Sequence, residues 1–347
     1  MGLHLITGGN GYVGGFIAKE LIARGERVRS IDVTDNNRPA NRVEYRRVDV
    51  LDIQALRAAM DGVDYVHHTA ALVPLRKAGK RFWQVNVEGT KNVLQAAKEK
   101  KVKHLSHMSS SAVFGNVSDA MCPIGAAARP HPAEIYGRAK LAAEELVRAE
   151  MTQRAETTFS VIRPRTIIGT ERLGIFQILF EWVSEGKTIY IIGDGSNRFQ
   201  FAHIDDIVEV SIETALGRKS GIFNIGTDRY GTLRQALEAL CTHAATGSKV
   251  VGLPVSLTIA ALWLSDKLGL SPLAPWHYLT YHRPFCFELR NEYAALLWRP
   301  HYSNEEMLIA SYDWFLKNQD TMSDADSTSV HRGVLKQGIV GLLKRFA

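Results

Sequence analysis

The sequence predicts an α/β fold: a doubly wound parallel sheet followed by a smaller, mostly helical C-terminal lobe. Three observations carry this. Short apolar runs alternate with helical patterns through the first half of the 347 residues. A glycine-rich turn, TGGNGYV, joins the first run to the first helix, and Asp32 ends the second run about twenty residues further on, the spacing of a dinucleotide-binding βαβ unit.

Taken in order, GLHLIT predicts a strand, YVGGFIAKELIARG a helix ended by Gly25, and ERVRSIDV a second strand. VEYRRVDV, the helix IQALRAAMDG and the run VDYVHHTA follow, then one long helix across WQVNVEGTKNVLQAAKEK and the strand VKHLSHMSS. Strands separated by helices require crossovers, which are right-handed and leave a parallel sheet covered on both faces. After residue 165 the pattern loosens into the helix IFQILFEWVSEG, the strand KTIYIIG, the helix DDIVEVSIETALG and the strand GIFNIG. Helical material rich in Pro, Trp and Tyr comes next. The predicted division is a nucleotide-binding domain over 1–165, to which some later segments return, a substrate lobe over 166–317, and a linker with a tail over 318–347.

Composition excludes several classes. At 46% hydrophobic and 22% charged residues the chain reads as soluble and globular. Its net charge of +6 comes from scattered Lys and Arg, and the run KEKKVKH is the solvated end of a helix, so nucleic acid is not an expected partner. Cys122, Cys241 and Cys286 stand far apart with no metal-ligand spacing, so no metal and reduced thiols are expected. A strand starting near residue 2 leaves no room for a signal peptide, and VVGLPVSLTIAALWL is too short to span a bilayer and contains Pro254. A cytoplasmic setting is expected.

The chemistry begins at the glycines. Gly8, Gly11 and Gly14 form G-x-x-G-x-x-G between a strand and a helix, with Tyr12 and Val13 opening that helix. Backbone amides at a helix N-terminus face one point suited to a diphosphate, and a side chain at these glycines would obstruct it. Asp32 is placed to bond both ribose hydroxyls and to repel a 2′-phosphate, which favours NAD over NADP, although Arg29, Arg38 and Arg42 lie nearby. Together these make the predicted sheet Rossmann-type.

YGRAK puts Tyr136 and Lys140 four residues apart on a predicted helix, hence on one face. A phenol lowered by a neighbouring cation can exchange a hydroxyl proton while hydride leaves the same carbon. Y-x-x-x-K also occurs on ordinary helices. Here the run SSSAVFG stands at the C-terminal end of a strand, where open sheets bind ligands, and Ser110 can hold the substrate oxygen.

With TGGNGYVG, IDV, VDVLD, HHTAA, NVEGTKNVL, SSSAVFG, YGRAK, IRPRTIIG, FAHIDDIV, FNIG and WRPHYSNEEML in this order, the chain resembles the extended short-chain dehydrogenases/reductases of the NAD-dependent epimerase/dehydratase superfamily, from Leu3 to about Lys317. The likeness is strongest in feel to its 3β-hydroxysteroid dehydrogenase-like and sugar epimerase branches. The resemblance implies Tyr136 as acid/base, Lys140 on the nicotinamide ribose and lowering the phenol, and Ser110 orienting the substrate. It implies Asp49 and Val50 beside the adenine, Ala70 and Ala71 along the cofactor cleft, Pro164 to Thr166 by the nicotinamide amide, and a structural Asn86. It also implies a homodimer through the NVEGTKNVLQAAKEK and YGRAKLAAEELVRAE helices.

Two departures narrow the reaction. Ser111 and Ala112 stand where sugar dehydratases of the family carry Asp-Glu, which disfavours dehydration. Phe199 and Gln200 replace the Arg-Asp pair of nucleotide-sugar enzymes, with Arg198 one residue early. Phe199 then suggests a bulky, partly apolar substrate, a sterol-like alcohol or a lipid-linked sugar, with Ser110, Ser111, Phe199 and Arg198 as its contacts. The alternatives are a nucleotide-sugar epimerase or reductase with Arg283 on the diphosphate, and a catalytically silent NAD-binding subunit.

The tail VHRGVLKQGIVGLLKRFA gathers Val334, Leu335, Ile339, Leu342, Leu343 and Phe346 on one stripe, with Arg332, Lys336, Lys344 and Arg345 around it. Such a segment suits either a membrane interface, at the inner face, or docking on protein.

Overall fold

The run LHLIT forms β1 (Leu3–Thr7), and all of it is buried because neighbouring strands and helices close over both of its faces. This computed structural model describes residues 1–35, 42–73, 80–125, 128–153, 156–172, 175–268 and 275–319. The chain continues through α1 (Tyr12–Ala23), β2 (Arg27–Asp32), β3 (Val43–Arg47), α2 (Ile53–Ala59) and β4 (Tyr65–His68). Next, α3 (Lys80–Trp83) passes through a π turn over Gln84–Glu88 into α4 (Gly89–Glu99), where the sequence predicted one regular helix. Asn86 lies in that turn and is structural: it accepts from the Leu72 N–H at 2.9 Å and donates to the Leu72 carbonyl at 3.0 Å. The widened turn thus lets a helix side chain take over the backbone bonds of the loop after β4.

β5 (His104–Met108), α5 (Ile135–Met151), β6 (Thr158–Pro164), β7 (Thr166–Ile168), α6 (Ile175–Ser184), β8 (Ile189–Ile192), β9 (Phe201–His203), α7 (Ile204–Leu216) and β10 (Gly221–Ile225) follow. The main sheet has seven strands in the order β10-β6-β5-β4-β1-β2-β3, every pair parallel. Chain order reverses between β1 and β4, and the crevice outside the carboxyl ends of strands at such a reversal is where these sheets take ligands. Although they lie beyond residue 166, β10 joins this sheet and α7 packs on α1.

The second lobe adds α8 (Leu233–Ala244), β11 (Val250–Leu253), α9 (Val255–Lys267), α10 (Pro275–Thr280), α11 (Arg290–Leu296) and α12 (Asn304–Asn318). Two small parallel pairs, β8 with β11 and β7 with β9, stand apart from the main sheet. Phe180, Trp182, Leu240, Met307 and Phe315 form the core between α6, α8 and α12. Pro254 divides the long uncharged run into β11 and α9, and α9 leaves Leu257, Trp263 and Leu264 exposed, as is Leu268 at its C-terminal cap. No helix among the described residues is long and apolar enough to cross a membrane. The tail residues from Arg332 to Phe346 lie outside the described residues, as does Arg38.

The reduced-thiol expectation is corrected. Cys122 and Cys286, separated by 164 residues, are joined in a disulfide with their Cα atoms 5.8 Å apart, while Cys241 is free and buried. Tertiary pairing is the cause: Ile124 bridges Phe287, and the Ile124 N–H donates to the Cys286 carbonyl at 2.8 Å.

The sheet interior holds an unusual set of histidines. His4, His67, His68, His104 and His107 are all fully buried. His68 is hydrogen-bonded to the Thr7 and Thr90 hydroxyls at 2.7 and 3.0 Å, and His4 to His67 at 3.0 Å. Burial pushes His68 and His104 down to about 3, and His4 down to about 4 against the pull of Glu26 and Asp64.

Candidate active site

The crevice at the β1–β4 reversal is one continuous cleft, and its two ends differ in chemistry. At the first end, Gly8, Gly11, Tyr12, Val13 and Gly14 form the floor. Gly8 sits at φ +70°, and a Cβ there would lie 2.7 Å from the Ala70 Cα. A Cβ on Gly14 would lie 2.4 Å from the Gly8 carbonyl oxygen, so the turn closes only with glycine. Gly11 caps α1 without a side chain, which leaves the first amides of the helix open to the cleft. Asp32 stands at the rim, accepting from the Asn10 N–H at 3.2 Å and from the Thr34 N–H and hydroxyl at 3.2 and 3.1 Å. Asp49, Val50, Ala70 and Ala71 line the same end. Arg29 points elsewhere: its guanidinium is occupied by Glu44 and by the Ala59 and Asp61 carbonyls. The cradle therefore fits the diphosphate and adenosine of a dinucleotide.

At the second end the cleft is walled by Ser110, Ser111, Tyr136, Lys140, Pro164 and Thr166. Ser110 ends the run after β5 and caps a short 3-10 turn over Ser111–Phe114, accepting from the Ala112 N–H at 3.2 Å. With its oxygen so engaged, its hydroxyl proton is left for a neighbour, and Tyr136 lines the same end of the cleft. α5 reaches this turn because Gly137 has no side chain; a Cβ there would lie 2.4 Å from the Ala112 carbonyl oxygen. Lys140, one turn along, is buried and donates to the Met108 carbonyl at 2.8 Å. Further along α5, Glu144 pairs with Arg163 of β6 and accepts from Ser109 at 3.1 Å, which locks the helix to the sheet.

Burial pushes the Tyr136 phenol up to about 12, with the Ser110 hydroxyl opposing, and pushes Lys140 down to about 8.

Expectations about the substrate side are also corrected. Phe199, Arg198 and Arg283 do not line the cleft. Phe199 is buried, 1% exposed, and turns into the second core, while Arg198 donates to the Cys122 carbonyl and Arg283 is exposed. The replacement Gln200 is structural as well, bridging the Thr227 carbonyl at 2.7 Å and the Phe287 N–H at 2.9 Å.

The sequence reading covered Arg165 only within the span Pro164 to Thr166, with no role of its own, and missed the cleft residue Arg172. Arg165 is 3% exposed; its guanidinium lies 4.0 Å from the Phe285 ring and 4.8 Å from the Phe199 ring, and donates to Ser111 at 3.2 Å. Burial pushes Arg165 down to about 9. Arg172 donates to the Ile167 carbonyl at 3.2 Å beside the Tyr12 ring. The only sequence signal was a second Arg in RPR, and nothing local distinguished it from a surface residue. Elsewhere, Asp206, Glu209 and His301 bring ligand-type atoms within 4.8 Å of one another, and Asp206 accepts from the His301 Nδ1 at 2.8 Å.

The model of the NAD dependent epimerase/dehydratase family matches residues 4–226. Protein y4nG of Sinorhizobium fredii is 37% identical over 339 residues, covering 98% of this chain and 85% of its own. Sterol-4-alpha-carboxylate 3-dehydrogenase, decarboxylating, of Bos taurus is 30% identical over 235 residues, 64% of this chain and 64% of the bovine protein, so that match spans less than two thirds of the relative. The structure of UDP-glucose 4-epimerase from Thermotoga maritima superposes with a TM-score of 0.75 at 21% identity, over 91% of this chain and 99% of the other, a likeness of fold.

Proposed function

The chain belongs to the NAD dependent epimerase/dehydratase family, and from that premise we propose that it is an NAD(H)-dependent oxidoreductase or epimerase acting at a secondary alcohol or ketone of a bulky, partly apolar substrate. The observation that carries this reading is that Tyr136, Lys140 and Ser110 wall the same cleft as the glycine cradle and Asp32. Gly8, Gly11 and Gly14 would hold the diphosphate, Asp32 the adenosine ribose, and Lys140 the nicotinamide ribose. Bound there, NAD supplies a hydride acceptor.

Tyr136 takes the proton of the substrate hydroxyl as the carbon–hydrogen bond is oxidised, and Ser110 holds that oxygen in line. Protonation of the ketone oxygen by Tyr136 runs the reverse reaction, so the same residues serve a dehydrogenase or an epimerase. Leu72, Val85, Ile167, Ile175 and Phe176 give the cleft its apolar surface, which suits a sterol-like alcohol or a lipid-linked sugar. Asp32, together with the occupied Arg29, supports NAD over NADP. The nucleotide-sugar alternative loses the cation assigned to it, because Arg283 does not line the cleft.

Replacing Tyr136 with Phe should keep NAD binding and remove turnover, assayed with NAD against sterols, lipid-linked sugars and nucleotide sugars. Surviving turnover would refute the mechanism. A wild-type protein that binds NAD and turns over none of these would favour the silent-subunit reading. The basic amphipathic tail, with the exposed apolar residues of α9, supports contact with an anionic membrane surface, as does a lipophilic substrate. Liposome co-sedimentation of the full chain, lost on truncation at Ser329, tests it.

A further inference from the structure

The motif RPR treats its two arginines in opposite ways. Arg163 is neutralised by Glu144. Arg165, two residues on and as deeply buried, has no carboxylate within ion-pair distance among the described residues, and its Nε is enclosed without any hydrogen-bond partner. Arg172, on the same cleft, is also without an ion pair among the described residues, and its Nη1 is likewise enclosed and unpartnered there. A guanidinium does not shed its proton to escape burial, so an uncompensated one is strongly unfavourable unless a ligand supplies the opposite charge.

The position of this charge is specific. Ser110 and Tyr136 line the cleft together, and the next residue, Ser111, accepts from Arg165. Arg172 is near enough to Tyr136 and Tyr281 to act on both electrostatically. The Phe199 and Phe285 rings flank the Arg165 guanidinium at 4.8 and 4.0 Å, which restricts its position before any ligand arrives.

We propose that Arg165 and Arg172 bind a carboxylate of the substrate, carried close to the carbon whose hydroxyl meets Tyr136. The proposal rests on the reading that the Tyr136 end of the cleft is the substrate end. Each arginine has one hydrogen bond to a neighbouring protein oxygen, Arg165 to Ser111 and Arg172 to the Ile167 carbonyl, which leaves further N–H groups on each. A planar carboxylate with two oxygens matches donors from two guanidinium groups. Phe199 then has an indirect part in specificity, as the platform of Arg165 and not as a substrate contact.

The test uses the full chain loaded with NAD and a matched pair of probes, naphthalene-2-carboxylate and naphthalene-2-carboxamide, measured by calorimetry on wild type, Arg165→Met, Arg165→Lys and Arg172→Met. The wild type should bind the carboxylate on the order of tenfold or more tightly than the amide, as expected for a charge-assisted pair. Arg165→Met should lose that preference and melt at a higher temperature than wild type, because an apolar side chain replaces an unmatched charge. Arg165→Lys should recover only part of the preference. Equal or absent binding of both probes by a wild type that binds NAD overturns the anion site alone. So does an Arg165→Met protein with the preference intact. Failure of the wild type to bind NAD would instead strike the underlying functional reading.

Discussion

The wholly buried carboxylate of Glu144 receives both the Nε and Nη2 of Arg163, with the Nε contact at 2.9 Å, so one turn of α5 beyond Lys140 is fastened to β6 by charge. The pair sets the depth of α5 and hence the reach of Tyr136. Glu144→Gln should destabilise the protein by about 3–5 kcal/mol, the usual result of leaving a buried charge unmatched. Chemical denaturation measures this. The double change Glu144→Leu with Arg163→Met should recover most of the loss, and no recovery would argue against a charge-pairing role.

Gly137 gives a prediction whose sign depends on tertiary contact. Glycine to alanine inside a helix ordinarily gains about 1 kcal/mol. Here the new methyl meets the Ala112 carbonyl, and overpacking of this kind costs about 1–3 kcal/mol. Gly137→Ala should therefore lower the melting temperature. It should also reduce kcat more than it changes NAD affinity, because it separates the Tyr136 helix from the Ser110 turn. A stabilised, fully active variant would contradict the proposed close approach.

Asp32→Ala removes the carboxylate placed for the ribose hydroxyls. NAD affinity should fall about tenfold to a hundredfold, the scale of hydrogen bonds to a charged group, while NADP affinity stays level or rises. Fluorescence titration with NADH and NADPH separates the two. An equal loss for both would refute the ribose role.

The buried histidines predict a pH dependence of stability. Their folded values lie below the ordinary value of 6.5, at about 3 for His68 and His104 and about 4 for His4. Between those values and 6.5 the unfolded chain binds protons that the folded one refuses. The stability contributed by the neutral rings is fully present above 6.5 and is lost as pH falls toward 4, at up to about 1.4 kcal/mol per pH unit for each such ring. Thermal melts should be nearly flat from pH 8 to 7 and fall steeply from pH 6 to 4.5. A flat profile to pH 5 would show that these rings are protonated or solvated in the native state.

What was legible in the sequence was local. The glycines announced a strand–turn–helix because only a residue without Cβ closes that turn, and Asp32 and the Tyr136–Lys140 spacing follow from positions along single elements. The family motifs added their order. None of this required knowing which distant segments touch.

What tertiary structure decided was the environment of individual side chains. The sequence determined that Phe199 replaces an arginine, but the crossing of the 198–200 segment with 285–287 turned its ring inward and onto Arg165. The same crossing brought Cys286 to Cys122. Arg163 and Arg165 are identical in kind and share one motif; only α5, packing over β6, supplied a carboxylate to the first and left the second facing the cleft. Periodicity specifies which face a residue takes, whereas its charge balance depends on groups brought up from far along the chain.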